Sequence, residues 1–281
     1  MIPGARFPTP AFFDASIEVI LAAASDASGL DFPTLFSAPD WSGDTKKRII
    51  LPAGVTRGIT DPSKYLFRTG TGRGGALELI IDGTLEGAGA AASSGAGNTG
   101  GGVLNVQQSG VKLLGSGAMK AGGGGGGKGG AGNGGTTLGP YWSQYVYMYR
   151  NANNNVIVVW DGATIYDGTG SFTSYTSGGY TYTQGAYMYP NYYQISRTQN
   201  IPTVGGDGGR GQGHNQTALT GAAGGTNAGK GGDGGAFGVN GQAGANGNVS
   251  NGLAGGLAGI VINGAANLSD LFSGSKLGRI I

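Results

Sequence analysis

Apolar positions fall into a few short runs separated by long polar or small-residue stretches. Ile17 to Ala24 reads IEVILAAA. With Asp14 as N-cap and Glu18 in the first turn, where the helix dipole favours an acid, it predicts a short helix over 15–25. Pro33 and Pro39 place loops after it. Arg48-Ile49-Ile50-Leu51 and Leu77-Glu78-Leu79-Ile80-Ile81 predict strands, the second ending in the turn Asp82-Gly83. Further on, Tyr145-Val146-Tyr147-Met148-Tyr149 and Tyr180-Thr181-Tyr182 alternate at the two-residue period of a strand, with tyrosine along one face. Asn153-Asn154-Asn155 predicts a turn into a strand over 156–160.

Glycine changes this picture. It accounts for 63 of 281 residues, which excludes a mostly helical chain, because each interior glycine costs about 1 kcal/mol relative to alanine. It gathers in two blocks, 87–139 and 203–259. Within them it recurs at every third position: Gly123, Gly126, Gly129, Gly132 and Gly135, then Gly229, Gly232, Gly235, Gly238, Gly241, Gly244 and Gly247. Three residues per turn is the period of polyproline II, whose backbone bonds to neighbours rather than to itself. Glycine lets such helices approach closely. As one uninterrupted helix, 229–247 would extend about 59 Å. Val103, Leu104, Val106, Val111, Leu113 and Leu114 in the first block argue for packing rather than a disordered linker. Leu253, Leu257, Ile260, Val261 and Ile262 at the end of the second argue the same way.

The expected fold is mostly irregular and β: a polyglycine II helix bundle with a small N-terminal α+β module and an inserted tyrosine-rich β module. The divisions are 1–75 as an attachment module, 76–140 as a strand plus the first glycine block, 141–201 as the tyrosine-rich insert, and 202–281 as the second block and tail.

Charge and chemistry narrow function by exclusion. A net charge of +2 gives no field to gather nucleic acid or anionic lipid. Cysteine is absent, which removes disulfides and thiolate metal sites. No apolar run reaches the 18 residues of a membrane span. Gly95-Ala96-Gly97-Asn98-Thr99-Gly100 matches a dinucleotide fingerprint, yet no helix or spaced acid follows. Gly122 to Lys128 and Gly224 to Lys230 imitate phosphate loops but carry Gly129 and Gly231 where a hydroxyl is required. His214 reads as a surface side chain in a glycine tract. Lys46, Lys47 and Arg48 read as a solvated strand end. Asp161 and Asp167 sit in turn-like Asp-Gly pairs, and Asp207 and Asp233 are isolated acids. We therefore expect no catalytic residue, no metal and no cofactor.

The insert holds Tyr145, Tyr147, Tyr149, Trp160, Tyr166, Tyr175, Tyr180, Tyr182, Tyr187, Tyr189, Tyr192 and Tyr193, with few charges. Tyrosine offers a rigid, amphipathic ring at low entropy cost, the chemistry of a recognition surface. The competing reading is that these rings cover the insert's own core.

The chain resembles bacteriophage tail-fibre adhesins and tail-tip receptor-binding proteins with glycine-rich domains. The resemblance rests on Ile49-Ile50-Leu51-Pro52-Ala53-Gly54-Val55-Thr56, on Leu79–Gly89 feeding the glycine tract, on the interrupted polyglycine, and on the closing 259–274 passage. It implies a non-enzymatic adhesin of the virion, at a tail fibre or tail tip. Residues 1–75 would dock on other tail or fibre proteins, and 141–201 would meet a bacterial surface protein or polysaccharide. No nucleic acid and no membrane insertion are expected; the resemblance leaves both a homotrimer and a single copy capping a fibre open, with the homotrimer the leaning. A structural or ice-binding glycine-helix protein is the alternative.

Overall fold

The structure is a computed structural model that describes residues 15–141, 146–153, 155–169, 173–188 and 192–281. Its base is a chain wound into five coils around a triangular core, each face a sheet of five parallel strands. The first face stacks Ser16–Ile20, Lys46–Leu51, Leu77–Ile81, Val111–Leu114 and Leu268–Asp270. The second stacks Ala24–Asp26, Thr56–Ile59, Thr84–Glu86, Ala118–Lys120 and Ser275–Leu277. The third stacks Leu30–Asp31, Tyr65–Arg68, Gly102–Asn105, Ile260–Asn263 and Arg279–Ile280. These faces run through residue 75 without a break.

Alternation decides which side chains fill the triangle. Ile49, Leu51, Leu77, Leu79, Ile81, Val111 and Leu113 point inward and are fully buried, and Phe32 meets Phe67 edge-on at 5.2 Å. Both expected strands are present. The expected helix over 15–25 is not: Ser16–Ile20 is a strand, with Val19 beside Ile49. The β-branched residues Ile17, Val19 and Ile20 fit a pleated sheet better than a helix. Asp14, its expected cap, lies outside the described residues.

The basic cluster also divides. Lys46 and Arg48 face outward to Glu78, at 3.6 and 3.1 Å. Lys47 is fully buried, its Nζ donating to the carbonyls of Gly43 and Gly74. Burial, reinforced by the nearby Arg73 guanidinium, pushes the Lys47 ammonium below its ordinary pKa.

Two excursions leave the corner between the second and third faces. Residues 87–101 go out and return on the third coil, and 121–259 do so on the fourth. Their glycine tracts lie side by side. The tract 121–131 is the hub, and its donors follow a three-residue rule. Gly122, Gly125 and Lys128 donate to Gly101, Asn98 and Gly95; Gly123, Gly126 and Gly129 donate to Gln212, Gly209 and Gly206; Gly124, Gly127 and Gly130 donate to Val239, Gln242 and Ala245. Partner numbers step by three as the hub number steps by three. Hub carbonyls accept from the remaining neighbours, among them Gly256 to Gly125 and Gly232 to Gly127. The hub thus meets the accounting demand on buried peptide groups with six neighbours and no helix or sheet ladder.

Glycine is what permits this spacing. A Cβ at Gly126 would overlap the carbonyl oxygen of Gly232, and one at Gly123 that of Gly235. The long straight run expected over 229–247 is instead two antiparallel tracts. Val239 donates to Ala236, and Gly238 takes φ +69 in the turn between them. The triplet register continues through the turn, so spacing alone conceals it.

Candidate functional site

The insert rises from the end of the bundle remote from the coils. Its stem pairs Gly132–Asn133 with Pro202–Thr203, antiparallel. Polar side chains tie this stem to the neighbouring turns. Asn248 Oδ1 accepts from the Asn133 amide at 2.8 Å, Asn227 Nδ2 donates to the Asn133 carbonyl at 2.8 Å, and Thr203 Oγ1 donates to the Thr226 carbonyl at 2.6 Å. Asn133 Nδ2 reaches Asn200 Oδ1 at 2.7 Å. Asn and Thr suit turns because their short side chains bond nearby backbone.

Beyond the stem is a seven-stranded antiparallel sheet. Its main path runs Ala163–Thr169, Asn155–Trp160, Tyr147–Arg150, Tyr192–Gln199, Tyr180–Met188 and Ser174–Ser177. Thr137–Tyr141 also pairs with the 192–199 strand. The sheet curls until its two edge strands meet through Tyr166 and Tyr175, ring centroids 4.6 Å apart. The curl encloses Val146, Met148, Val156, Val158, Trp160, Tyr182 and Ile195. Arg197 lies 4.4 Å from both the Trp160 and the Tyr180 ring, a cation held between two aromatic faces.

The aromatic residues singled out from the sequence therefore serve two faces. Trp160 and Tyr182 are each 5% exposed and belong to the inner core. Tyr166, Tyr175, Tyr180 and Tyr193 pack against that core. Tyr147, Tyr149 and Tyr192 form a separate group, with ring centroids 5.5 to 5.8 Å apart. In register, Tyr149 sits opposite Ile157 and Tyr192, and Tyr147 opposite Val159. Strand alternation puts this group on the outer side, where its rings shield Ile157 and Val159 and leave their remaining area to solvent. Tyr187 is 57% exposed and meets Tyr193 at 5.2 Å. Tyr145, Asn154 and Tyr189 lie outside the described residues.

The glycines singled out are distributed as follows. Gly123, Gly126 and Gly129 face the 228–236 tract, and Gly229, Gly232 and Gly235 face the 239–247 tract. Gly241, Gly244 and Gly247 face the hub, Gly238 is in the turn, Gly132 is in the stem, and Gly135 lies against the Gln199 carbonyl.

Other chemistry is accounted for by pairing. His214 is buried rather than on the surface. Its Nδ1 is 3.0 Å from Glu86 Oε2, its Nε2 is 3.0 Å from Asn215, and its ring occupies space that Gly58 leaves open. It joins a bundle turn to the second face of the coils, a contact that a lone histidine in a glycine tract does not advertise. Asp233 accepts from Lys230 and from the Gly221 amide, which hold its carboxyl below the usual range. Asp167 bonds Asn155, and Asp161 lies 3.8 Å from Arg197. Among the described residues no group of three or more acids and histidines is placed to hold a metal. No helix among them is long and apolar enough to cross a membrane.

A hydrogen-bonded rod carrying an aromatic, charge-poor module at its far end has the make-up of an adhesin. Comparison of sequences gives the particular family. The family described as phage tail fibre adhesin Gp38 matches residues 16–281, and the chain belongs to it. It is therefore a virion protein of host attachment and not an enzyme. No curated protein matches the sequence. Among solved structures, the chain is similar to the gp37-gp38 adhesin tip complex of the bacteriophage S16 long tail fiber. Identity is 15%, covering 94% of this chain and 82% of that one, with a TM-score of 0.48.

Proposed function

We propose that the adhesin meets its bacterial receptor, an outer-surface protein or polysaccharide, through the 141–201 module, and that the glycine tracts form a polyglycine II bundle holding the module away from the fibre. The carrying observation is the outer group of Tyr147, Tyr149 and Tyr192, set on a sheet whose own core is already filled by Trp160, Tyr182 and their neighbours. Rings held rigid by a closed core present area to a ligand at little further entropy cost. The stem bonds to the 224–228 and 247–251 turns fix the module's orientation. The three-residue hydrogen-bond rule of the hub supports the polyglycine II assignment.

Residues 15–75 contribute the first two coils, and among the described residues the first coil leaves one strand edge without a partner on each face. An open edge is a template for another strand, and we assign this end to the tail or fibre partner. The S16 complex, by its name, joins gp38 to gp37 at an adhesin tip; a fibre partner of that kind fits the same role here.

The test is adsorption of labelled protein to host cells. Tyr147→Ala with Tyr149→Ala and Tyr192→Ala should weaken binding at least about 100-fold, the scale of a lost aromatic hot spot, while the melting transition of the coils persists. Binding equal to that of the unaltered protein would remove the module from the receptor site.

A further inference from the structure

Lys128 interrupts the hub: the sequence runs glycine from 122 to 127, then Lys128, then Gly129 and Gly130. The three-residue period explains why a side chain is admitted here. Positions 122, 125 and 128 share one face of the hub. A Cβ at Gly122 would strike the Ala88 carbonyl, and one at Gly125 would lie 2.8 Å from the Ala91 carbonyl. Both contacts come from the 87–101 excursion. That excursion turns back over residues 93–96, held by Ser93 Oγ donating to the Ala96 carbonyl at 2.6 Å. It ends at the level of Lys128, whose amide bonds the Gly95 carbonyl in the turn, one level short of the other tracts.

The shortfall leaves a cleft of about 370 Å³ at the foot of the insert. Lys128, Ala131, Pro202, Val204 and Leu253 line it. Val204 is 68% exposed and Leu253 44% exposed, large apolar side chains in a bundle built almost wholly of small residues. Among the described residues no carboxylate forms an ion pair with Lys128, as is also the case for Lys64 and Lys112, whereas Lys46, Lys120, Lys230 and Lys276 each have an acidic partner.

We propose that this cleft is a second contact for the host, taking a polypeptide loop that presents a carboxylate to Lys128 and an adjoining aliphatic or aromatic side chain to Val204 and Leu253. The inference rests on the reading that this end of the bundle meets the host. Charge complementarity selects an acid. Thr203, Ser250 and Asn251 also line the cleft, but the Thr203 and Ser250 hydroxyls are already bonded to the Thr226 carbonyl and the Ala131 amide, so the apolar surface of Pro202, Val204 and Leu253 favours a protein side chain over a sugar.

The test uses the full chain and intact host cells, untreated, shaved with a protease, or stripped of acidic surface polysaccharide. Lys128→Gln and Leu253→Ser should each weaken binding to untreated cells about tenfold, with unchanged melting temperatures, and Lys128→Arg should retain most binding. Leu253→Ser remains informative should Lys128→Gln perturb the hub. Protease shaving should abolish the difference between variants and unaltered protein; polysaccharide stripping should leave it. Unchanged binding by both variants would overturn the proposal. So would a difference that survives shaving and disappears on stripped cells, which would make the ligand an acidic glycan. If the tyrosine variants bind normally while Lys128→Gln does not, the cleft stands and the tyrosine module falls.

Discussion

Gly126→Ala tests whether close backbone approach holds the bundle together. A methyl group at this position meets the Gly232 carbonyl inside the distance at which ordinary van der Waals contact begins, 3.4 Å. The hub and the 228–236 tract would have to part by about 1 Å or more, because neither carbonyl nor peptide can rotate away from a contact between main chains. Three hydrogen bonds cross this level, each 2.8 Å: Gly126 to Gly209, Gly209 to Gly232, and Gly232 to Gly127. At about 1 kcal/mol net each, with a further penalty for any buried group left unpaired, the loss is about 3–5 kcal/mol. That is a large share of the roughly 5–15 kcal/mol that holds a domain folded. The control is Gly95→Ala, where the new methyl group meets only Ser93 Oγ, at 3.8 Å. Its effect should stay within about 0.5 kcal/mol. Denaturant unfolding followed by circular dichroism measures both. If Gly126→Ala cost no more than Gly95→Ala, the contacts argued from the hub would not be the source of its stability.

Three further outcomes follow from particular contacts. His214→Ala removes a buried bond to Glu86 and should cost about 2–3 kcal/mol in the same assay; a change under about 0.5 kcal/mol would mean that the turn is held by backbone alone. Trp160→Ala opens the inner core of the insert and should destabilise that module by about 3–5 kcal/mol, read as early loss of its near-ultraviolet dichroism, with the coils unaffected. The Arg68 guanidinium bonded to Asp31 holds that carboxyl below its usual value. Its stabilising contribution is therefore present above the unfolded value of about 3.9 and is lost as pH falls through the lowered folded value. Arg68→Met should bring the Asp31 titration, followed by NMR, back towards the ordinary carboxylate value; an unmoved titration would remove Arg68 as the cause.

Legibility of this fold in the sequence varied with the range of the interaction. Local pattern sufficed for the 48–51 and 77–81 strands, though not for the 46–47 extension with its buried Lys47, and for the common face of Tyr147 and Tyr149, because a strand shows its period within a few residues. The coiled base was harder to see. Its pairs, such as Arg48 with Glu78 and Asp26 with Arg57, are about one coil apart in sequence. The recurring aliphatic strands at 46–51, 77–81 and 111–114 were the available repeat signal. The triplet glycines disclosed backbone contact but not chain reversal, since the turn at Gly238 keeps the register. Aromatic counting singled out many of this sheet's side chains, yet it could not separate Trp160 and Tyr182 inside from Tyr147, Tyr149 and Tyr192 outside. That division follows from how the sheet curls, which depends on edge strands meeting at Tyr166 and Tyr175.

Amide hydrogen exchange along residues 122–130 bears most directly on the central claim that the glycine tracts are a hydrogen-bonded solid. Every amide of this segment donates to a neighbouring tract, so the account predicts exchange slowed to the rate of global unfolding. Exchange at the speed of an open chain in the native protein would contradict it.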